Sequence, residues 1–249
     1  MIIDTITCSG PHEDTPVNKL VSFMNDYSNV EIAIQASPYK MSAGTERYAW
    51  FNKLMRAVQN NPTQLNLALH VNQEWCDWIC RGVLPFEIQM WLEEERPDGM
   101  PVVRRVQINS CGSKTMYFYP TKIAKIINTY PNSEFIVQND GTVSSVRRLD
   151  KLNVTGANFS VLYDASSGNG IMPASWKKPY HGHKTGYSGG LRPDNVVANL
   201  RQIASVAGKN HIWIDAESGL KNPATKTFDI NRARAYVDAV MRWQNTHER

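Results

Sequence analysis

Tyr187-Ser188-Gly189-Gly190-Leu191-Arg192-Pro193 and Ile214-Asp215-Ala216-Glu217-Ser218-Gly219-Leu220 follow one plan, an apolar strand end running into a glycine-bearing turn. Glycine lets backbone N–H groups approach an anion with no Cβ in the way, and a helix N-terminus adds unpaired donors and a favourable dipole. Either turn alone is explained as well by simple chain reversal. Two such turns at consecutive strand ends can grip one phosphate from both sides if the strands are neighbours in a closed sheet. That is the position of the loops after strands seven and eight of a (β/α)8 barrel. The phosphate contacts are therefore assigned to Ser188, Gly189, Gly190, Ser218 and Gly219.

Working outward from these turns, eight short β-branched or apolar runs are found at Ile2-Cys8, Val30-Ala36, Leu65-Val71, Val103-Asn109, Glu134-Gln138, Ala157-Tyr163, His183-Tyr187 and His211-Ala216. Most are followed by helical spacing, and their separation suits parallel strands joined by crossovers. The last helices are the clearest: Val196, Val197, Leu200, Ile203, Ala204 and Ala207 make one stripe, and Ile230, Ala233, Tyr236, Val237 and Val240 another. Pro193 suits the first turn of the former. The segment 166–182, rich in glycine and proline, predicts a sixth helix that is missing or reduced to a turn. Segments 38–64 and 72–102 are longer than their units need and read as loop elaborations. The 249 residues match one α/β domain, a single parallel barrel spanning 1–249.

The composition, 42% hydrophobic and 20% charged, is that of a globular protein. A formal charge of +4 leaves room for an anionic ligand. The basic residues are scattered in pairs such as Arg104-Arg105 and Lys177-Lys178, with no basic stripe or binding module, so nucleic acid is not expected as a partner. No apolar run has transmembrane length, and Met1-Ile2-Ile3-Asp4 has no basic leader, which predicts a cytoplasmic protein without membrane contact. Cys8, Cys76, Cys80 and Cys111 are too sparse for a disulfide framework and are expected as free thiols.

Strand one ends at Cys8 and strand six at Tyr163-Asp164, which puts a thiol and a carboxyl at the catalytic rim. A carboxylic acid can protonate a ring oxygen, and a thiolate can take a carbon-bound proton if its surroundings lower its pKa. Each residue alone has a blander reading, Cys8 as core and Asp164 as a turn residue.

The order of motifs resembles phosphoribosylanthranilate isomerase, a barrel of the ribulose-phosphate-binding class, over almost the whole chain. Ile6-Thr7-Cys8-Ser9-Gly10 is similar to the family's Lys-x-Cys-Gly, Leu67-Ala68-Leu69-His70-Val71-Asn72 to its third strand, and Val106-Gln107-Ile108-Asn109 to its Gln-Leu-His-Gly. Leu162-Tyr163-Asp164 with Gly168-Asn169-Gly170 and Trp176 resembles its Leu-Asp and glycine motifs, and the turns after strands seven and eight match most closely. The resemblance implies an Amadori rearrangement of a phosphorylated aminosugar, with Cys8 as general base, Asp164 as general acid and no metal or organic cofactor. It also implies substrate contacts at Tyr39, Lys40, Gln107 and Asp215. Where the family has Ser-Pro-Arg, this chain has Ser37-Pro38-Tyr39, so recognition of the anthranilate carboxylate would fall to Lys40 or Arg47. Thr5, Ile6 and Thr7 occupy the stretch of the first-strand lysine. Another phosphosugar as substrate, or phosphometabolite binding without catalysis, are the alternatives.

Cys76 and Cys80 share a helix face but lack the further ligands zinc needs, so a buried face is expected. Lys184 lies near the start of strand seven, away from the rim where a Schiff-base lysine would be needed. Trp75, Trp78 and Trp91 read as packing, and His181-Gly182-His183 lacks partners for a site.

Overall fold

The computed structural model describes residues 1–110, 117–152, 154, 157–165 and 169–247. Cys111 and Gly168 lie outside them. Strands β1 (Ile2–Ser9), β2 (Val30–Ala36), β3 (Asn66–Val71), β4 (Val103–Ile108), β5 (Glu134–Asn139), β6 (Phe159–Asp164), β7 (Lys184–Ser188) and β8 (His211–Ala216) pair in chain order into a closed barrel. Every pairing is parallel, and β8 closes on β1 with Ile6 opposite Ile214 and Cys8 opposite Ala216. The strand bounds read from the sequence fall within two residues of these.

The outer layer consists of α1 (Val17–Asn25), α2 (Pro38–Met41), α3 (Glu46–Gln59), α4 (Gln73–Cys80), α5 (Phe86–Glu93), α6 (Pro120–Thr129), α7 (Val143–Leu149), α8 (Val196–Ala207) and α9 (Ile230–His247). Among the described residues no helix links β6 to β7, as the composition of that segment implied. Segments 38–64 and 72–102 are not loops, however. In α3, Trp50, Phe51, Leu54, Met55 and Val58 form a buried helical stripe, and Thr45 caps its N-terminus by accepting from the Tyr48 N–H at 3.2 Å. In α4, Trp75, Cys76, Ile79 and Cys80 bury one face together, which explains both cysteines by packing. Trp75 and Trp91 meet edge to face at 6.0 Å, while Trp78 stays half exposed. Pro193 precedes α8 rather than opening it, because Arg192–Asn195 forms a separate turn closed by Asn195 N–H to Arg192 O at 3.1 Å.

Successive strand residues alternate between the barrel interior and the layer under the helices. Ile6, Ile32, Leu69, Val137, Tyr187 and Ile214 belong to the outer apolar layer shared with the helices. The interior holds charge at its lower level. Arg105 donates to Glu31 at 2.9 Å and pairs with Glu134 at 3.3 Å, and its guanidinium lies 4.4 Å from the Trp213 ring centroid. Thr7 also donates to Glu31, at 2.8 Å. A buried cation stripped of water is tolerable only with such paired oxygens. Above this network Ile136, Leu162 and Trp213 form a separate small apolar plug. Gly186 makes room for it, because a Cβ there would overlap the Trp213 ring. The barrel is therefore filled, and chemistry is confined to its ends. Lys184 sits at the N-terminal end in an ion pair with Asp4 at 3.4 Å, remote from the rim, and His183 packs edge-on to Phe159 at 4.8 Å nearby.

Candidate active site

At the C-terminal rim a cavity is lined by His70, Gln107, Gln138, Asp164, Ser188 and Asp215 from β3 to β8, together with Asn109 and the turns at Gly170, Gly189, Gly190 and 216–218. Its enclosed part is small, about 40 Å³, room for about one water-sized group. A larger cleft of about 640 Å³ lies outside the barrel, between the start of α1 and residues 222–234. Another, of about 450 Å³, opens at the N-terminal mouth around Arg104 and Lys184. Size alone would favour either, but neither gathers carboxyl groups beside glycine turns at the strand ends where barrel chemistry occurs.

Asp164 ends β6 and is almost fully buried, with Gln138 Nε2 donating to its Oδ2 at 2.8 Å. Asp215, on β8, accepts from Ser9 Oγ at 2.6 Å. Burial pushes the Asp215 carboxyl up to about 8, against the Ser9 hydrogen bond, and the charges of Glu217, Asp164 and Glu31 add to the rise. At neutral pH this acid is mostly protonated. His70 behaves oppositely: burial lowers its imidazole to about 4, opposed by Glu217 and assisted by Arg105, so the ring is neutral. The cavity thus presents a proton-bearing carboxyl and a second carboxyl held by an amide N–H.

Cys8 is not part of it. Its side chain is buried in the outer apolar layer with Ile6, and the interior-facing positions of β1 are Thr7, bonded to Glu31, and Ser9, bonded to Asp215. Burial, then Asp215 and Glu31, hold the thiol far above its ordinary pKa, the reverse of what a thiolate base needs. The expected base is therefore withdrawn. Cys8→Ala is expected to leave any turnover within about threefold of wild type and to cost about 1 kcal/mol of stability, measurable by parallel kinetics and urea melts. A hundredfold loss of kcat would restore the thiol to the chemistry.

No family model and no curated protein matches this chain.

The turns assigned to phosphate do come together, and the loop after β6 joins them. A Cβ on Gly190 (φ 64°) would stand 2.9 Å from Gly170 O, one on Gly170 would overlap Ser218 Oγ, and one on Gly219 would overlap Leu191 O. Asn195 Nδ2 holds Gly190 O at 2.9 Å, and Arg232 of α9 grips Gly219 O at 3.2 and 3.1 Å. With the chain pinned in this way, the N–H groups of Gly189, Gly190, Ser218 and Gly219 meet no acceptor among the described residues.

Of the substrate contacts implied by resemblance, Gln107 and Asp215 line the cavity. Tyr39 and Lys40 do not. Both are exposed on α2, and Tyr39 donates to Glu74 at 2.7 Å. Arg47 is engaged by Glu13. Sequence reasoning missed Ser9, His70 and Gln138, and took Glu217 only as part of the turn after β8. Counting by twos along each strand from Asp164 and Asp215 across the register would have found the first three. Among the described residues no group of three or more His, Cys, Asp or Glu could hold a metal, and no helix is long and apolar enough to cross a membrane.

Proposed function

We propose that the protein is a phosphosugar isomerase that rearranges a phosphorylated aminosugar from aldose to ketose form, with Asp215 as acid and Asp164 as base. The observation that carries this reading is the convergence of two buried carboxyl groups, from β6 and β8, beside the unengaged backbone donors of Gly189, Gly190 and Ser218. Two carboxyl groups facing one cavity, one of them held protonated by burial, are suited to acid–base work. The carboxyl of Asp215 protonates the ring oxygen as the C1–O bond breaks and the nitrogen lone pair forms the C=N bond. Asp164 takes the C2 proton, and its electron pair gives the enolamine. Return of that proton to C1, with loss of the C2 hydroxyl proton to Asp215, yields the ketose and restores both groups. The roles differ from the motif-based expectation, in which Asp164 was the acid and Cys8 the base. The glycine turns would hold the phosphate through hydrogen bonds from backbone N–H groups, with Arg232 behind them.

Calorimetric titration with inorganic phosphate, and turnover of phosphoribosylanthranilate and of aldose phosphates lacking its carboxylate, test the reading. Phosphate binding with conversion of at least one aldose phosphate is the expected result. Phosphate binding with no turnover of any of them would favour a non-catalytic metabolite-binding protein, and no phosphate binding would remove the cradle.

A further inference from the structure

We infer that the wall of the cavity opposite the glycine turns reads an uncharged hydrogen-bond donor at the far end of the substrate, not a carboxylate, and that the reading atom is Gln107 Oε1. This rests on the phosphosugar reading above. In a closed eight-stranded barrel β3 and β4 face β7 and β8 across the mouth, so a ligand anchored by phosphate at the turns extends toward them.

A chain of side-chain amides runs along that wall. Asn72 Nδ2 donates to His70 O at 2.9 Å, Asn109 Nδ2 to Asn72 Oδ1 at 2.8 Å, and Gln107 Nε2 to Asn109 Oδ1 at 2.8 Å. A backbone carbonyl can only accept, so the His70 end fixes which way the Asn72 amide points. Each amide in turn then has one possible orientation. The ladder cannot be reversed by flipping one residue. Its open end is Gln107 Oε1, an acceptor without a partner on a residue that is only 3% exposed and lines the cavity. A buried acceptor without a partner is costly, and a donor on the ligand removes that cost.

A carboxylate would bring only lone pairs to this atom and would sit in a cavity also lined by the carboxyl groups of Asp164 and Glu217. No Lys or Arg among the described residues lines the cavity to offset it. Lys221 is committed to Glu217 at 2.8 Å, Arg105 to Glu31 beneath, and Arg232 to the Gly219 carbonyl. A carboxamide or hydroxyl fits where the anthranilate carboxylate does not.

The test uses two non-reacting phosphoribityl amines that differ only in carrying a carboxamide or a carboxylate at the same place on the nitrogen substituent, with inorganic phosphate as reference. Wild type is expected to bind the carboxamide about tenfold more tightly or better, since sites built around a polar partner discriminate strongly. Gln107→Leu should erase that preference with phosphate affinity unchanged. Asn109→Ala, at a half-buried position, should weaken it by freeing the Gln107 amide to turn. No preference in wild type, a preference for the carboxylate, or a preference that survives in Gln107→Leu overturns the inference while leaving the phosphate reading intact. Failure of all three ligands to bind overturns that reading, and this inference falls with it.

Discussion

Asp215→Asn is expected to lower turnover by about 10²- to 10⁴-fold, the usual contribution of a positioned acid or base, while making the protein more stable at pH 8. The first effect follows from removing the proton that the carboxyl carries into the cavity. In wild type the same argument predicts that turnover falls as pH rises through about 8, where Asp215 loses that proton. The second effect follows from linkage. Unfolded, this carboxyl titrates near its ordinary 3.8; folded, burial holds it protonated up to about 8. Between those values the folded state binds more protons than the unfolded one, so stability decreases with rising pH and levels off above the folded value. Stability conferred by the raised pKa is complete below about 4 and is lost as pH passes 8. The span corresponds to several kcal/mol, on the order of 5 at most. Asparagine can still accept from Ser9 but carries no charge to bury.

The variant should therefore melt roughly 5–10 °C above wild type at pH 8, with a much smaller difference at pH 4. Thermal melts at the two pH values check this without any knowledge of the substrate. An equal difference at both would mean that Asp215 is not held protonated, and the acid would have to be sought elsewhere. A stability gain joined to a loss of turnover is the trade expected where an active site keeps a strained group for its chemistry.

The strands and the two terminal turns were legible because short apolar runs and glycines report backbone geometry directly. The segments before and after β3 were misread as loops: after β3 the helical stripes are short and separated by Pro85, whereas before β3 the stripe of Trp50, Phe51, Leu54, Met55 and Val58 in the 14-residue α3 was legible at helical spacing and was overlooked. The first strand was misread for a sharper reason. Side chains alternate with a period of two, so a slip of one residue exchanges the two faces. Counting from Ile3, which packs in the outer layer, would turn Cys8 inward. The pairing of β1 with β8 shifts register between Ile3 and Thr5, however, and both Ile3 and Ile6 lie in the outer layer. That irregularity sends Cys8 outward and turns Ser9 inward, onto Asp215. A motif matched on the identity of cysteine could not detect it, because the bulge depends on how β8 lies alongside. The amide ladder was equally hidden: Asn72 and Asn109 meet only when β3 and β4 pair, and neither is unusual on its own strand.

Gly219→Ala should abolish the proposed phosphate site while leaving the barrel standing. A Cβ at this position overlaps the Leu191 carbonyl and comes 2.9 Å from the Arg192 Cα, both backbone atoms of the turn after β7. Neither can rotate away as a side chain would. The turns after β7 and β8 must therefore separate, and Gly189, Gly190 and Ser218 no longer line one cavity. Overpacking of this kind typically costs 1–3 kcal/mol, and here the clash lies above the paired strands, so the Ile136, Leu162 and Trp213 plug and the Arg105 network are untouched. The expected result is a cooperative melt lowered by a few degrees together with at least about a hundredfold weaker binding of inorganic phosphate, about 2.7 kcal/mol. Ser218→Ala is the matching control. It removes a hydroxyl but keeps the backbone donor, and phosphate affinity should stay within about threefold of wild type. If Gly219→Ala bound phosphate as well as wild type, the backbone of these turns would not be the anion site. If Ser218→Ala lost binding, the side chain would carry the contact and the role of the glycines would reduce to shaping the chain.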